Sequence, residues 1–403
     1  MKKIFITYYL LTITFCHTPV FAADFGAVTS AQLTAEKTDE AAVKGKVTIA
    51  PWFSLPFDMP VFGTADFYAS LGLTASYDKK LFFIPELFRL ELSARPMDAL
   101  SLTVGRIPWH DASRLVAKGH FDGLEAVYNF GRFRLGGAAL YTGLLYKETG
   151  NITVSPGDPK NYGADFTFSE FSDTYFAPRR FFTSLYGEIP GFLFDRGSFY
   201  AGLLAQFDLS DAGERFHTQY VLLRYDFVYK VFDVSASGAA GLEKTGAEGV
   251  RVSFAASVEG GMQLPTSFKD RLSLCLRYAS GNGPTIASFF PIVREAQGII
   301  LKPSLSGIMT IRPLYEIRIL PELSAQLGAR YFIRTDSTSF ADPYLNDDSY
   351  FIGTELDGSL LWVPYSDLSL SLGGGLFLPQ TGRAMRSNAP VRWSITLGAI
   401  FSL

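Results

Sequence analysis

Cysteine is nearly absent from this 403-residue chain; Cys16 and Cys275 are the only two. Cys16 lies in an N-terminal stretch with the marks of a cleaved leader. Cys275 is then left alone, and no intramolecular disulfide can form. An exported chain without disulfides must be held together by something else. Long hydrophobic runs are missing too. After the leader, no run of 18 apolar residues exists to cross a bilayer as a helix. Helical periodicity is scarce, histidines number 4, and no glycine loop has the form that cradles phosphate; "LGGGLF" (372–377) reads as small residues on a strand. Yet 48% of the chain is hydrophobic, 15% is aromatic, and the mean hydropathy is +0.15. High apolar content without an apolar helix fits one class of exported protein: an all-β, transmembrane antiparallel β-barrel, whose apolar signal is alternation.

The leader is "MKKIFITYYLLTITFCHTPVFA". Lys2 and Lys3 precede an apolar stretch, and Val20-Phe21-Ala22 supplies a small residue for cleavage. Residues 1–22 therefore read as a signal peptide and 23–403 as the barrel. Phe15 before Cys16 is a poor match for lipoprotein processing. Cleavage takes two from 36 Lys and Arg, leaving 34 against 39 Asp and Glu, a net charge of about −5. That balance excludes a nucleic-acid binder by bulk charge.

The alternating segments number 18: 25–36, 44–54, 64–77, 85–95, 98–107, 121–130, 132–143, 180–190, 196–208, 215–229, 230–243, 249–264, 269–280, 304–319, 322–334, 349–363, 366–378 and 391–403. Sixteen strands would remain without the first pair. Short connections such as "NFGRF" (129–133), "VYKVF" (228–232) and "LPEL" (320–323) alternate with longer polar ones at 108–120, 144–179, 281–303, 335–348 and 379–390. Short periplasmic turns opposite long extracellular loops are the asymmetry of an outer-membrane barrel. The last strand, "VRWSITLGAIFSL", sets Val391, Trp393, Ile395, Leu397, Phe401 and Leu403 on one face, as barrel-assembly machinery prefers in its substrates. Tyr77, Tyr128, Tyr229, Tyr278, Tyr331, Trp362 and Trp393 fall near strand ends on the apolar face, as headgroup girdles do. Pro313 cannot donate to a ladder, so a bulge or break is expected inside strand 304–319.

Lipid leaves no partner for backbone groups, so the sheet must close. An Arg or Lys facing mid-bilayer would cost about 2–4 kcal/mol, so the charged alternate positions must face the lumen. These are Arg89, Glu91, Arg95, Glu125, Arg134, Arg224, Asp226, Asp233, Arg251, Glu259, Arg271, Arg277, Arg312, Glu316, Arg318, Arg330, Arg334, Glu355, Asp357 and Arg392. Twelve are arginines, eight are acids and none is lysine. Such a wall would favour anions if the arginines are free, and would only be stiffened if they pair across strands. The loop 144–179 is too long for a plain hairpin connection. Folded inward, it would bring Arg179 and Arg180 to a constriction; standing outside, it would form a cap.

Enzyme chemistry is not expected. His110-Asp111 and His120 could seat a dyad, but no serine-centred motif completes it. The Asp-rich "ADPYLNDDSY" (341–350) lacks the spacing of a calcium cage and reads as a solvated loop. No metal or cofactor is implied.

The run "LTVGRIPWHDASRLVAKGHFDGLEAVYNFGRFRLGGAALYTG" (102–143) resembles the large porins of the alginate-export and OprD-like type. Gly105-Arg106 and Asp122-Gly123 match that pattern, while Ile107-Pro108 stands where those proteins carry a polar residue. The resemblance implies an 18-stranded barrel with a basic lumen that passes anionic or carboxylated solutes. The expected function is passive diffusion of small hydrophilic solutes across the outer membrane of a Gram-negative cell. The partners expected are outer-membrane lipid, the solutes and the assembly machinery, with the oligomeric state open. Two other readings stand beside it: a surface-exposed structural or adhesive barrel with a plugged lumen, and a transporter of hydrophobic solutes.

Overall fold

The structure is a computed structural model that describes residues 23–59, 63–155, 157–158, 160–193, 195–210, 215–244, 249–337, 340, 342–346 and 349–403. The leader at 1–22 lies outside the described residues. The chain builds β1 (Asp24–Lys37), β2 (Ala41–Met59), β3 (Gly63–Asp78), β4 (Lys80–Met97), β5 (Leu100–His110) and β6 (Lys118–Asn129). It continues with β7 (Arg134–Tyr141), β8 (Arg180–Phe192), β9 (Gly197–Asp208), β10 (His217–Tyr229), β11 (Phe232–Lys244) and β12 (Val250–Gln263). The last third gives β13 (Arg271–Ala279), β14 (Ile308–Leu320), β15 (Leu323–Arg334), β16 (Phe351–Tyr365), β17 (Leu368–Pro379) and β18 (Arg392–Ser402). Each strand pairs antiparallel with its sequence neighbours, and β1 also pairs with β18 from Val28↔Ser402 to Lys37↔Trp393. The sheet is therefore a closed barrel of 18 strands with no free end.

Alternation decides the outside. Leu33, Leu203, Leu223, Leu327, Leu372 and Leu397 are all exposed, as are Tyr77, Tyr278 and Trp362 of the girdles. An apolar belt on a closed sheet is the surface of a membrane-spanning barrel. At Pro313 the β14–β15 ladder skips from Ile311↔Tyr331 to Leu314↔Gly328 without changing register. The expected interruption is thus a local break. The first four strands run longer than alternation alone defines, because β1–β2 and β3–β4 close with tight turns at 38–40 and at Lys79, whose φ is +62°.

The core lies inside the barrel. Three loops fold into the lumen and pack on its upper wall. The first, 111–117, is built by the buried Asp111 carboxylate, which accepts the N–H groups of Ser113, Arg114, Val116 and Ala117. The second, 142–179, folds inward as one of the two readings of its length required: Tyr146, Phe166 and Tyr175 pack on Ile84, whose side chain faces the lumen. The third, 280–307, sets Phe289, Ile292 and Leu305 in one cluster with Trp109, Phe121, Phe182, Tyr220 and Leu222. The upper inner wall of β5–β10 is thus apolar, so those strands bury one apolar face in lipid and the other in loops.

Arg180 anchors the second loop. It is fully buried, donates to Asp158 and Asp208, and donates to Ser155 Oγ at 3.0 Å. The expectation that it would stand at a constriction is corrected: its guanidinium is spent inside the wall, where an uncompensated charge could not be held. Arg179, beside it, is half-buried at the base of the loop with its stem near Gly143 and Tyr141.

Two glycines of the 102–143 run have a steric reason. Gly105 has φ +121°, and a Cβ there would lie 2.0 Å from the Leu90 carbonyl oxygen. A Cβ on Gly123 would lie 2.1 Å from that of Ala139. Gly105→Ala is expected to cost about 1–3 kcal/mol, read as a lower denaturant midpoint of the heat-modifiable folded band. Arg180→Ala strands two buried carboxylates and is expected to cost about 3–5 kcal/mol, largely within the loop. Limited proteolysis should then cut between 153 and 179 while the barrel stays folded; an uncut loop would show that Arg180 does not hold it.

Candidate functional site: the lumen wall

The inward charged residues fall into three groups. The first ties down loops. Glu355 is fully buried and accepts the N–H groups of Ile299, Ile300 and Leu301 at 2.7–3.0 Å. Arg251 donates to Asn282 and to the Gly283 and Ile286 carbonyls. Arg334 donates to the Ser349 and Asn346 carbonyls, and Arg392 holds Asp342 with a two-pronged grip. Each of these residues is taken up by a loop.

A second group stiffens the wall by pairing along or across strands. Arg89 pairs with Glu91 and stacks over Tyr68, and Arg224 pairs with Asp226. Arg134 meets Glu188, Arg277 meets Glu295, and Arg312 meets Asp357. Arg271 sits among Asp233, Glu259 and Glu316. Glu125 accepts the Tyr186 hydroxyl.

The third group forms no ion pair among the described residues. Arg330 is half-buried in β15 at the break opposite Arg312, and among the described residues its guanidinium has no carboxylate or carbonyl in hydrogen-bond reach; its Nε is buried without a partner. Arg114 and Lys118 are exposed at the inward hairpin of 111–117 and line a lower lumen cavity of about 430 Å³ with Arg224, Arg277 and Glu295. Arg95 is exposed near the periplasmic end of β4, and Arg318 caps its own turn by donating to the Pro321 carbonyl at 2.6 Å.

Some lumen residues are not among the charged positions named from the sequence. Lys44 and Lys46 of β2 line an upper vestibule of about 600 Å³, and Lys44 bridges Glu36 and Asp78 at 3.0 Å each. The wall therefore does contain lysine. Glu86 is buried and accepts Thr149 Oγ1 at 3.0 Å. The β4 bulge at Phe88 hid it, because the inward parity changes there: Leu71 pairs with Leu87 and Ser70 with Arg89. Arg114 could be found only from the Asp-x-Ser spacing of its turn. Asp111 cannot serve His110 as a dyad partner, since four backbone N–H groups and the Ser113 hydroxyl already fill its carboxylate.

In the second loop, burial lowers the affinity of Lys147 for its proton, and its ammonium donates to the Ala164 carbonyl. Burial pushes the Tyr175 phenol up to about 12, so it stays neutral and donates to the Pro85 carbonyl at 2.7 Å. A hollow of about 1090 Å³ lies outside this system: Leu33, Val47, Leu372 and Trp362 line it on the lipid face. Among the described residues no group of His, Cys, Asp and Glu could hold a metal.

Comparison with known proteins separates sequence from shape. No family model and no curated protein matches the chain. Solved structures do. Pseudomonas aeruginosa OprD matches at TM-score 0.60 and 12% identity, over 96% of this chain and 97% of that one. Pseudomonas aeruginosa OccK2 (OpdF) in complex with glucuronate matches at TM-score 0.60 and 14% identity, over 94% and 98%. Acinetobacter baumannii OccAB4 matches at TM-score 0.60 and 10% identity, over 96% and 99%. At these identities the likeness is one of architecture, and the chain carries the 18-stranded outer-membrane barrel fold of the OprD and Occ channels.

Proposed function

We propose that the protein is an outer-membrane porin through which small hydrophilic solutes diffuse passively, with a preference for anions. The carrying observation is Arg330, whose guanidinium has no acceptor among the described residues, in a wall where most of its neighbours are paired. A charge already neutralised by a wall partner has little left for a solute; a free one lowers the barrier for a passing anion. Arg114 and Lys118 extend that surplus into the lower cavity. Acidic residues nearby, among them Asp226 and Glu295, keep each contact weak enough for release. Carboxylated solutes fit best, because a guanidinium grips a carboxylate with two parallel donors. The glucuronate held by the OccK2 neighbour is a solute of that class.

Residues 1–22 would direct export and be removed, and the last strand would present the chain to the assembly machinery. A second reading, a sealed structural or adhesive barrel, draws on the apolar packing of Phe289, Ile292 and Leu305 inside the upper lumen. Conductance in planar bilayers separates the two. Discrete channel steps with a reversal potential on the anion side of a salt gradient are expected. Arg330→Gln combined with Arg114→Gln should lower the anion-to-cation permeability ratio on the order of twofold to threefold. Absence of steps supports the sealed barrel. Cation selectivity indifferent to both substitutions would remove the anion preference.

A further inference from the structure

Within the closed barrel, the ladder between β4 and β5 is incomplete. β4 and β5 pair from Met97↔Leu100 only as far as Leu90↔Arg106. Above that point, residues 80–89 of β4 pair with β3 alone, and Ile107–His110 of β5 pair with β6 alone. The sequence enforces the gap. Continuing the register would set Phe88 against Pro108, which has no N–H to donate, and Pro85 lies on the unpaired stretch of β4. Phe88 itself is a bulge whose ring lies over Gly72 of β3. Six residues separate Leu100 from Arg106; at ~3.3 Å per residue and a tilt of roughly 40°, the seam opens about 15 Å above the periplasmic turn, within the ~25 Å apolar band.

Side chains close it, where a ladder would otherwise run. Arg106 donates across the gap to the Leu87 carbonyl at 2.6 Å, reaches the Leu144 carbonyl at 3.0 Å, and is gripped at both prongs by Asp122 at 2.8 Å. Tyr175 donates to the Pro85 carbonyl, and Thr149 ties the same loop to Glu86. On the inner side stands an apolar cluster of Ile84, Tyr146, Phe166 and Tyr175 with Phe82, and it borders the charged vestibule of Lys44, Lys46 and Asp165. On the outer side, Leu81 and Phe83 are exposed on the lipid face.

We propose that this seam is a lateral port between the lumen and the outer leaflet, closed here by residues 144–149 and 166–175 and latched by Arg106 and Asp122. Its substrate is a single-chain amphiphile: the charged head stays with the mixed charges of the vestibule while the apolar chain lies on the aromatic cluster and leaves between β4 and β5. The port is independent of anion passage along the barrel axis, since none of its residues belongs to the Arg330 and Arg114 group.

The test uses the full-length protein reconstituted in vesicles and a twelve-carbon fatty acid with a terminal diazirine. A parallel arm carries the same diazirine on a phospholipid. After photolysis, mass spectrometry maps the labelled residues. The free fatty acid is expected to label Phe82, Ile84, Phe166 or Tyr175, and the phospholipid only lipid-facing residues. Asp122→Asn loosens the latch and should raise labelling of the cluster roughly tenfold, the scale of one charge-assisted hydrogen bond; labelling of the distant lipid-facing Leu327 should not change. Thr149→Val, which cuts one loop tie and leaves the wall intact, should act in the same direction if Asp122→Asn fails to fold. No free-acid label on the cluster, equal labelling from the phospholipid, or labelling unmoved in folded variants would each overturn the port.

Discussion

Backbone hydrogen bonds have nowhere to go in a bilayer except to the chain itself, and the structure follows from that constraint. It forces 18 strands into a ring in which β1 meets β18 over ten residue pairs. Closure then assigns every second side chain to lipid or lumen, so one register choice fixes the environment of the whole set. The lumen is left with charges that must find partners and with a wide interior that side chains alone do not fill. Both needs are met by the same device, since the inward loops fill the space and offer carbonyls and N–H groups to the wall.

The buried ionic contacts gain meaning from this arrangement. Arg180 with Asp158 and Asp208, Glu355 with three N–H groups, and Arg392 with Asp342 each join a strand to a loop. A buried charge is costly to desolvate and tolerable only when saturated, so these contacts specify where a loop lies more than they add net stability. Among the inward charges described above, Arg95, Arg114, Lys118 and Arg330 form no ion pair with the described residues. Where the ladder between β4 and β5 stops short, a guanidinium, a phenol and a loop cover the seam.

Much of the fold was legible in the sequence because a barrel writes its strands as period-two patterns. The eighteen segments correspond to the eighteen strands, with shifts of a few residues at the ends and larger ones in β2, β4 and β14. Lumen-facing parity was legible wherever apolar and charged residues alternate, as in "EIRILPELSAQLGARYFIRT" (316–335). It was illegible in β5–β10 above mid-height, where Ile107, Trp109, Phe121 and Phe182 face inward onto loops and alternate with other apolar residues. Glu86 was hidden by the bulge at Phe88, whereas Lys44 and Lys46, which alternate with Val43, Val47 and Ile49, were legible.

The resemblance around Gly105-Arg106 and Asp122-Gly123 shows the division most plainly. The sequence by itself determined the alternation, the turn positions and the need for a closed sheet. These are properties of neighbours along the chain and of the solvent around it. Only the tertiary structure decided which arginines are spent and which are free. It also decided that the 142–179 loop turns inward, and that the two ends of the 105–123 run meet as one ion pair across adjacent strands. Those outcomes depend on distances between residues far apart in sequence, and a pattern of period two carries no record of them.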